Sequence, residues 1–421
     1  MIVFPRKIKT VLFLIAALLS AIFAWPQAKA STCDNFICES GETAGSCPQD
    51  CFAKGIYAMC GSKTNSCKNV VKNAGVVGVL LSPKWNEIET TNGVYSWTAL
   101  DEQVAIAQNA GLKVTFQLFN SPYYAPDWLK NDPNIQKVTI VNLNDYVVGG
   151  TLVCQELTLP VFWDPVFHQK NLQLINAMKE HYASNPAVIG VTANYGSLFS
   201  ADGGIPQKVD SETCKDAQGN PILVDQAQSW LNAGYTHDKI FDTGQKIIDA
   251  TAIAFPNQAI STYFSFSDDK RLEASSTVLA KDIMDYAYAK YPDRFYAKIA
   301  WLSATTTMAD EIAKPYTKIE QLMLLLKAHS PQIGIQMIDM ATDGASRDCR
   351  QNAKIIPCPD YEVMDKSLKI SLSYNPTTIE VWYQDATNIQ LEPLLIDTTE
   401  KMGGSLRDVT PPSAPIGVTI N

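Results

Sequence analysis

Histidine is scarce in this chain. There are four in 421 residues: His168, His181, His237 and His329. All fall in predicted helices or turns, and none shows a metal-ligand spacing, which argues against a histidine-held metal centre. Positive charge is also in deficit. Lys and Arg number 34 against 43 Asp and Glu, a formal net charge of −9. That balance does not suit nucleic acid or an anionic membrane surface as a partner. Beyond residue 30 no apolar run is long enough to span a bilayer, so no membrane association is expected once the leading segment is removed. A Gly-x-Gly-x-x-Gly turn is missing after the apolar run Val76–Leu81. Ser82-Pro83-Lys84-Trp85 stands there instead, which argues against dinucleotide binding.

What is present begins with an address. Arg6, Lys7 and Lys9 precede an apolar run over residues 11–24, and Ala28-Lys29-Ala30 has the form of a cleavage site. Residues 1–30 read as a signal peptide, so the remainder is expected to be secreted, on the cell surface or in the periplasm. All ten cysteines follow this segment, and an even number in an exported chain suggests disulfides. Cys60–Cys67 and Cys349–Cys358 are candidate pairs by proximity. Cys154 and Cys214 would then pair across two loops.

Residues 32–51 read T-C-D-N-F-I-C-E-S-G-E-T-A-G-S-C-P-Q-D-C. Four cysteines in so short a stretch make a module that cannot bury a core and needs staples. The segment resembles a cysteine-rich repeat of modular secreted bacterial proteins. Asp34, Glu39, Glu42 and Asp50 are candidate oxygen ligands for a structural calcium ion; the alternative is a solvated acidic face. Zinc on the thiolates does not suit an oxidising compartment. No other cofactor is expected.

From residue 61 to residue 405 strands alternate with amphipathic helices. Val76–Leu81 is nearly all apolar and rich in valine, as in a strand buried on both faces of a parallel sheet. Similar strands are predicted at residues 112–119, 188–193, 259–266, 295–302, 333–338 and 378–383. One more falls at residues 138–141 or 157–159. Eight strands with intervening helices predict an α/β fold, a (β/α)8 TIM barrel, behind a small disulfide-rich module at residues 31–60. A doubly wound open sheet is the alternative. Residues 406–421 form a stiff Pro-rich linker that resembles the opening of a fibronectin type III module.

Trp85, Ile88, Glu89, Gly93, Tyr95, Trp97, Leu100 and Asp101 spell W-x-x-I-E-x-x-x-G-x-Y-x-W-x-x-L-D. This resembles the first βα unit of β-galactosidase-like glycoside hydrolases. Ala125-Pro126-x-Trp128-Leu129, Asp164-Pro165 and Tyr182-x-x-Asn185-Pro186 continue the likeness, which spans most of residues 74–206. The resemblance implies two carboxyl groups, one after strand four and one at the end of strand seven. Glycoside cleavage needs them because one proton must reach the leaving oxygen while a carboxylate or activated water faces the oxocarbenium ion.

After strand four, Asp202 occupies the place of the family's glutamate. In a second alignment Asn194-Tyr195 stands against an Asn-Glu pair, and the glutamate is lost. Gln336 falls at the strand-seven position, where an amide cannot be a nucleophile but can bond a sugar hydroxyl. Asp339 and Glu380 are the candidate partner carboxyls. Glu380 is alternatively a structural acid paired with Lys113 or Lys298. Trp85, Trp128, Tyr263, Trp301 and Trp382 are candidate sugar platforms or core residues, and Asn120 and Asn194 candidate hydrogen-bonding groups. Tyr123 belongs with these aromatics.

Together these features predict a secreted glycoside hydrolase-like protein that acts on an oligo- or polysaccharide through two carboxylates. The alternative is a degenerate, carbohydrate-binding barrel of a modular cell-surface protein. A third reading is a structural surface protein displaying the barrel between adhesive modules.

Overall fold

A computed structural model describes residues 52–61, 67–143, 153–196, 208–264, 276–302, 318–329, 332–337 and 359–407, with isolated positions and short pieces between them. Eight parallel strands are β1 (Gly55–Gly61), β2 (Val76–Leu81), β3 (Lys113–Gln117), β4 (Val188–Thr192), β5 (Ala259–Phe264), β6 (Phe295–Leu302), β7 (Ile333–Met337) and β8 (Thr378–Trp382). Each pairs with the next, and β8 pairs with β1, so the sheet closes. The expected (β/α)8 barrel is therefore the fold, and closure excludes the open sheet. The larger helices outside it are α1 (Thr98–Asn109), α2 (Pro165–Tyr182), α3 (His237–Ala254), α4 (Ser276–Lys290), α5 (Lys318–His329), α6 (Asp360–Ser373) and α7 (Glu392–Lys401).

Two strand assignments change. Val76–Leu81 is the second barrel strand, not the first. The barrel opens with Gly55–Gly61, G-I-Y-A-M-C-G, buried at every position but the last. All of that segment but Gly61 lies inside the stretch expected to be the cysteine-rich module. The expected third strand is also replaced. Lys137–Val141 and Glu156–Pro160 pair antiparallel as a hairpin outside the barrel. The hairpin strand alternates between buried Val138 and Ile140 and exposed Thr139, as a ribbon with one wet face does. A barrel strand has no wet face.

Outward-facing Val79, Leu81, Val114, Phe116, Val191, Ile260, Ile299, Ile335 and Val381 pack beneath the helices in one continuous core. Each such side chain contributes roughly 1.5–3 kcal/mol by burial. Inside the barrel, Phe52, Tyr57, Val77, Ile189, Ala259 and Tyr296 form a separate apolar plug. Val77, Ile189 and Ala259 stand at the starts of their strands, so the plug fills the N-terminal end. Gly78 makes room for it, since a Cβ there would lie 2.3 Å from the Tyr57 ring.

The barrel continues past the expected boundary at residue 405. Arg407 donates to the carbonyls of Val71, Asn73, Val76 and Ala110 at 2.7–3.2 Å. Disulfides Cys60–Cys67 and Cys154–Cys214 form as expected. The Cys349 and Cys358 side chains lie outside the described residues, as do calcium candidates Asp34, Glu39 and Asp50. Glu42 is buried. Among the described residues no His, Cys, Asp and Glu cluster forms a metal cage, and no helix is long and apolar enough to cross a membrane.

Candidate active site

The motif that carries the family likeness folds into scaffold. Glu89 is buried after β2, where its Oε2 accepts from the Trp85 indole at 2.7 Å and its Oε1 from the Gly93 amide at 2.7 Å. Gly93 adopts a φ of 77°, the left-handed turn that glycine tolerates and that brings its N–H back to Glu89. Tyr95 bonds the same carboxylate; burial first, then Glu89, pushes its pKa up to about 12. Asp164 caps α2 by accepting from the Val166 and Phe167 amides at 2.9 Å, with Pro165 at the first helical position. Asp101 holds the Tyr182 hydroxyl at 2.8 Å.

The polar chemistry lies inside the barrel, above the apolar plug. Lys298 on β6 and Glu380 on β8 form an ion pair at 2.5 Å, each side chain 1% exposed. The second carboxylate oxygen accepts from the Tyr263 hydroxyl on β5 and from Gln336 Nε2 on β7 at 3.0 Å. Gln336 Nε2 also reaches the Tyr263 oxygen at 3.1 Å. Lys298 Nζ sits over the rings of Tyr263 and Tyr296 at 5.0 and 5.2 Å. Burial opposes its charge, but Glu380 and Tyr296 outweigh burial and raise the Lys298 pKa. Burial also raises Tyr57 and Tyr296, so both stay neutral beneath the pair.

Of the two readings of Glu380, the pairing with Lys298 is the one seen. Both of its oxygens are occupied and it is sealed from solvent. Lys113 does not contribute; it opens β3 opposite Gly78, near the plugged end. Tyr263 is fully buried and serves the cluster rather than standing as an open platform. Gln336 is half-buried above it.

Other candidates fall elsewhere. Trp85 is wholly buried against Phe167, 5.6 Å between ring centres, so it is a core residue and no sugar platform. Trp128 packs on the same outer core, donates to the Glu89 carbonyl at 3.3 Å and lies under Lys170 of α2. Asn120 and Asn194 are buried and line a cavity of about 10 Å³ between the barrel and helices α2 and α3. That is room for about one water and none for a sugar ring. Tyr195, the alternative acid position, is buried in the helical layer, where a Cβ on Gly244 would come within 3.2 Å of its ring.

Asp202 has only its backbone described; it pairs in parallel register with Tyr263 at the C-terminal end of β5. The Trp301 side chain and all of Asp339 lie outside the described residues. Trp382 ends β8 on the same strand face as Glu380, half-buried, as expected from the two-residue alternation. The sequence pointed to Lys298 only as a possible pair for Glu380. It gave no sign that Tyr263 and Gln336 would complete the cluster.

The family described as Beta-galactosidase (Glyco_hydro_42) matches residues 64–239. No curated protein matches the sequence. Among solved structures, the chain resembles a polyextremophilic β-galactosidase from the Antarctic haloarchaeon Halorubrum lacusprofundi. Identity is 10%, coverage 83% of this chain and 58% of that one, and the TM-score 0.50. A psychrophilic glycoside hydrolase family 10 endo-β-1,4-xylanase is 11% identical over 79% of this chain and 86% of that one, with a TM-score of 0.43. A β-galactosidase from the psychrophilic Marinomonas ef1 is 12% identical over 83% and 61%, with a TM-score of 0.45. The chain thus spans little more than half the length of the haloarchaeal enzyme. Residues 64–239, from β2 to β4, are thus similar to the family described as Beta-galactosidase, and the closed barrel is the fold that carries them.

Proposed function

We propose that this protein hydrolyses O-glycosidic bonds in an oligo- or polysaccharide at the C-terminal mouth of the barrel. In this reading Asp202 is the acid/base and Asp339 the partner carboxylate. Asp202 gives its proton to the leaving oxygen, and Asp339 faces the anomeric carbon or activates water there. Glu380, saturated by Lys298, Tyr263 and Gln336, holds the interior together and does no chemistry. The observation that supports the reading is the backbone pairing of Asp202 with Tyr263 at the C-terminal end of β5. TIM barrels act from this face. Residues 1–30 direct secretion in this reading, and the two disulfides fit an oxidising compartment.

A second reading, carbohydrate binding without turnover, is favoured by Gln336 at the strand-seven position. The test is a panel of aryl glycosides and polysaccharides with wild type, Asp202→Asn and Asp339→Asn. Loss of about 10²–10⁴ in turnover by the Asp202 variant supports its role. Equal turnover removes Asp202 from the mechanism. Binding without turnover by wild type selects the second reading.

A further inference from the structure

Asn92-Gly93 is the one Asn-Gly pair in the 421 residues. Such a pair is chemically labile, because glycine has no Cβ to shield its main-chain nitrogen from the preceding side-chain amide. The nitrogen attacks the asparagine Cγ. An N–C bond forms as the Cγ–Nδ2 bond breaks, and ammonia leaves with the proton that the nitrogen gives up. Water then opens the five-membered imide at one carbonyl or the other, leaving aspartate or isoaspartate. Asn92 and Gly93 are both exposed, so water reaches them.

The backbone opposes this reaction. Val94 N–H donates to the Thr91 carbonyl at 2.9 Å, closing a turn with Asn92 and Gly93 at its centre. Gly93 has a φ of 77° and Asn92 no positive φ, which makes the turn type II. Imide closure needs the Asn92 Cβ eclipsed with the Gly93 nitrogen about the Cα–C bond. A type II turn sets ψ there at about +120°, roughly 120° away from that arrangement. The turn must open before the ring can form.

Two side chains keep it closed. Glu89 Oε1 accepts from the Gly93 N–H, on the attacking nitrogen, at 2.7 Å. That carboxylate is buried and its other oxygen is held by Trp85, so it does not follow the nitrogen outward. Lys170 Nζ on α2 donates to Asn92 Oδ1, on the amide under attack, at 3.0 Å. Lys170 is itself steadied by Gln173 Oε1 at 3.1 Å and by the Trp128 ring. Nucleophile and electrophile are thus tied to different elements. We propose that Asn92 is a latent self-modification site, its deamidation kept silent in the folded chain by Glu89 and Lys170. Isoaspartate adds a carbon to the main chain at the turn and pulls Gly93 off Glu89, so each event leaves this βα unit permanently loosened.

Peptide mass mapping during incubation in mildly alkaline buffer tests this, with aspartate and isoaspartate at position 92 separated by chromatography. The samples are folded wild type, wild type in urea, Lys170→Met and Glu89→Gln, both variants checked for fold by thermal unfolding. Folded wild type should convert Asn92 at least about 10-fold more slowly than the chain in urea, because opening the turn breaks two hydrogen bonds, one of them to a carboxylate. Lys170→Met should convert about 3-fold faster than wild type, and Glu89→Gln about 10-fold faster. Lys170 is half-buried on α2, so its variant keeps the test open where Glu89→Gln does not fold. Equal rates for folded and urea-unfolded wild type overturn the proposal. So does a wild-type rate in either folded variant.

Discussion

Two buried glutamates sit on opposite sides of the barrel wall and are held in opposite ways. Glu89, outside the wall, is satisfied by an indole N–H, a backbone N–H and a phenol, all within six residues of it. Glu380, inside, is satisfied by an ammonium, a phenol and an amide from three other strands. The first joint is local and uses uncharged donors. The second spans residues 263–380 and exists only once the barrel has closed. A buried carboxylate can thus serve as a rivet of one βα unit or as the keystone of four strands, and its neighbours in sequence tell which.

The contrast breaks first at Lys298. Lys298→Met leaves Glu380 buried without its cation and should cost about 3–5 kcal/mol in a urea unfolding titration. Adding Glu380→Leu should return at least half of that. If the single change costs under about 1 kcal/mol, the pair is not the keystone. Glu89→Ala should cost less, roughly 1–3 kcal/mol, since it orphans neutral donors rather than a charge. It should also leave the Lys298 result unchanged when the two are combined, because the joints share no partner.

The gentlest probe is alkali. The folded pKa of Lys298 is raised, so its stabilising share is whole below the unfolded lysine value of about 10.4 and fades as pH climbs through the folded value. Tyr57 and Tyr296, also raised, act in the same direction, because only the unfolded chain ionises them near pH 10. The unfolding midpoint should therefore fall above about pH 10, and the Lys298→Met/Glu380→Leu pair should flatten that fall. An equally steep fall in the double variant would assign the effect to the tyrosines alone.

The helical layer was legible because its signals are short-range. Asp164-Pro165 names a helix start on its own, and Trp85, Glu89 and Gly93 follow one another at four-residue spacing. The strands from 188 onward were legible as apolar runs. Gly55–Gly61 was not, because glycines and a cysteine bound it and cysteines crowd the chain on both sides. The hairpin at 137–160 passed for a strand because one buried face gives half the same pattern. The interior cluster was least legible. Its four residues lie on separate strands, and nothing near Gln336 in sequence announces that Tyr263 will face it. Trp85 misled for a related reason: an aromatic after a strand reads the same whether it turns into the mouth or under the helices.

Arg407 and Gly404 have a consequence for attachment. Arg407 grips carbonyls at the entries of β2 and β3, and a Cβ on Gly404 would lie 2.2 Å from the Lys54 carbonyl just before β1. The chain therefore enters and leaves the barrel at one spot, on the end sealed by Phe52 and Tyr57. Gln336 and Trp382 look out from the other end. The barrel can be spliced between neighbouring modules, or its own ends joined and new ones cut elsewhere, without anything being drawn across its mouth.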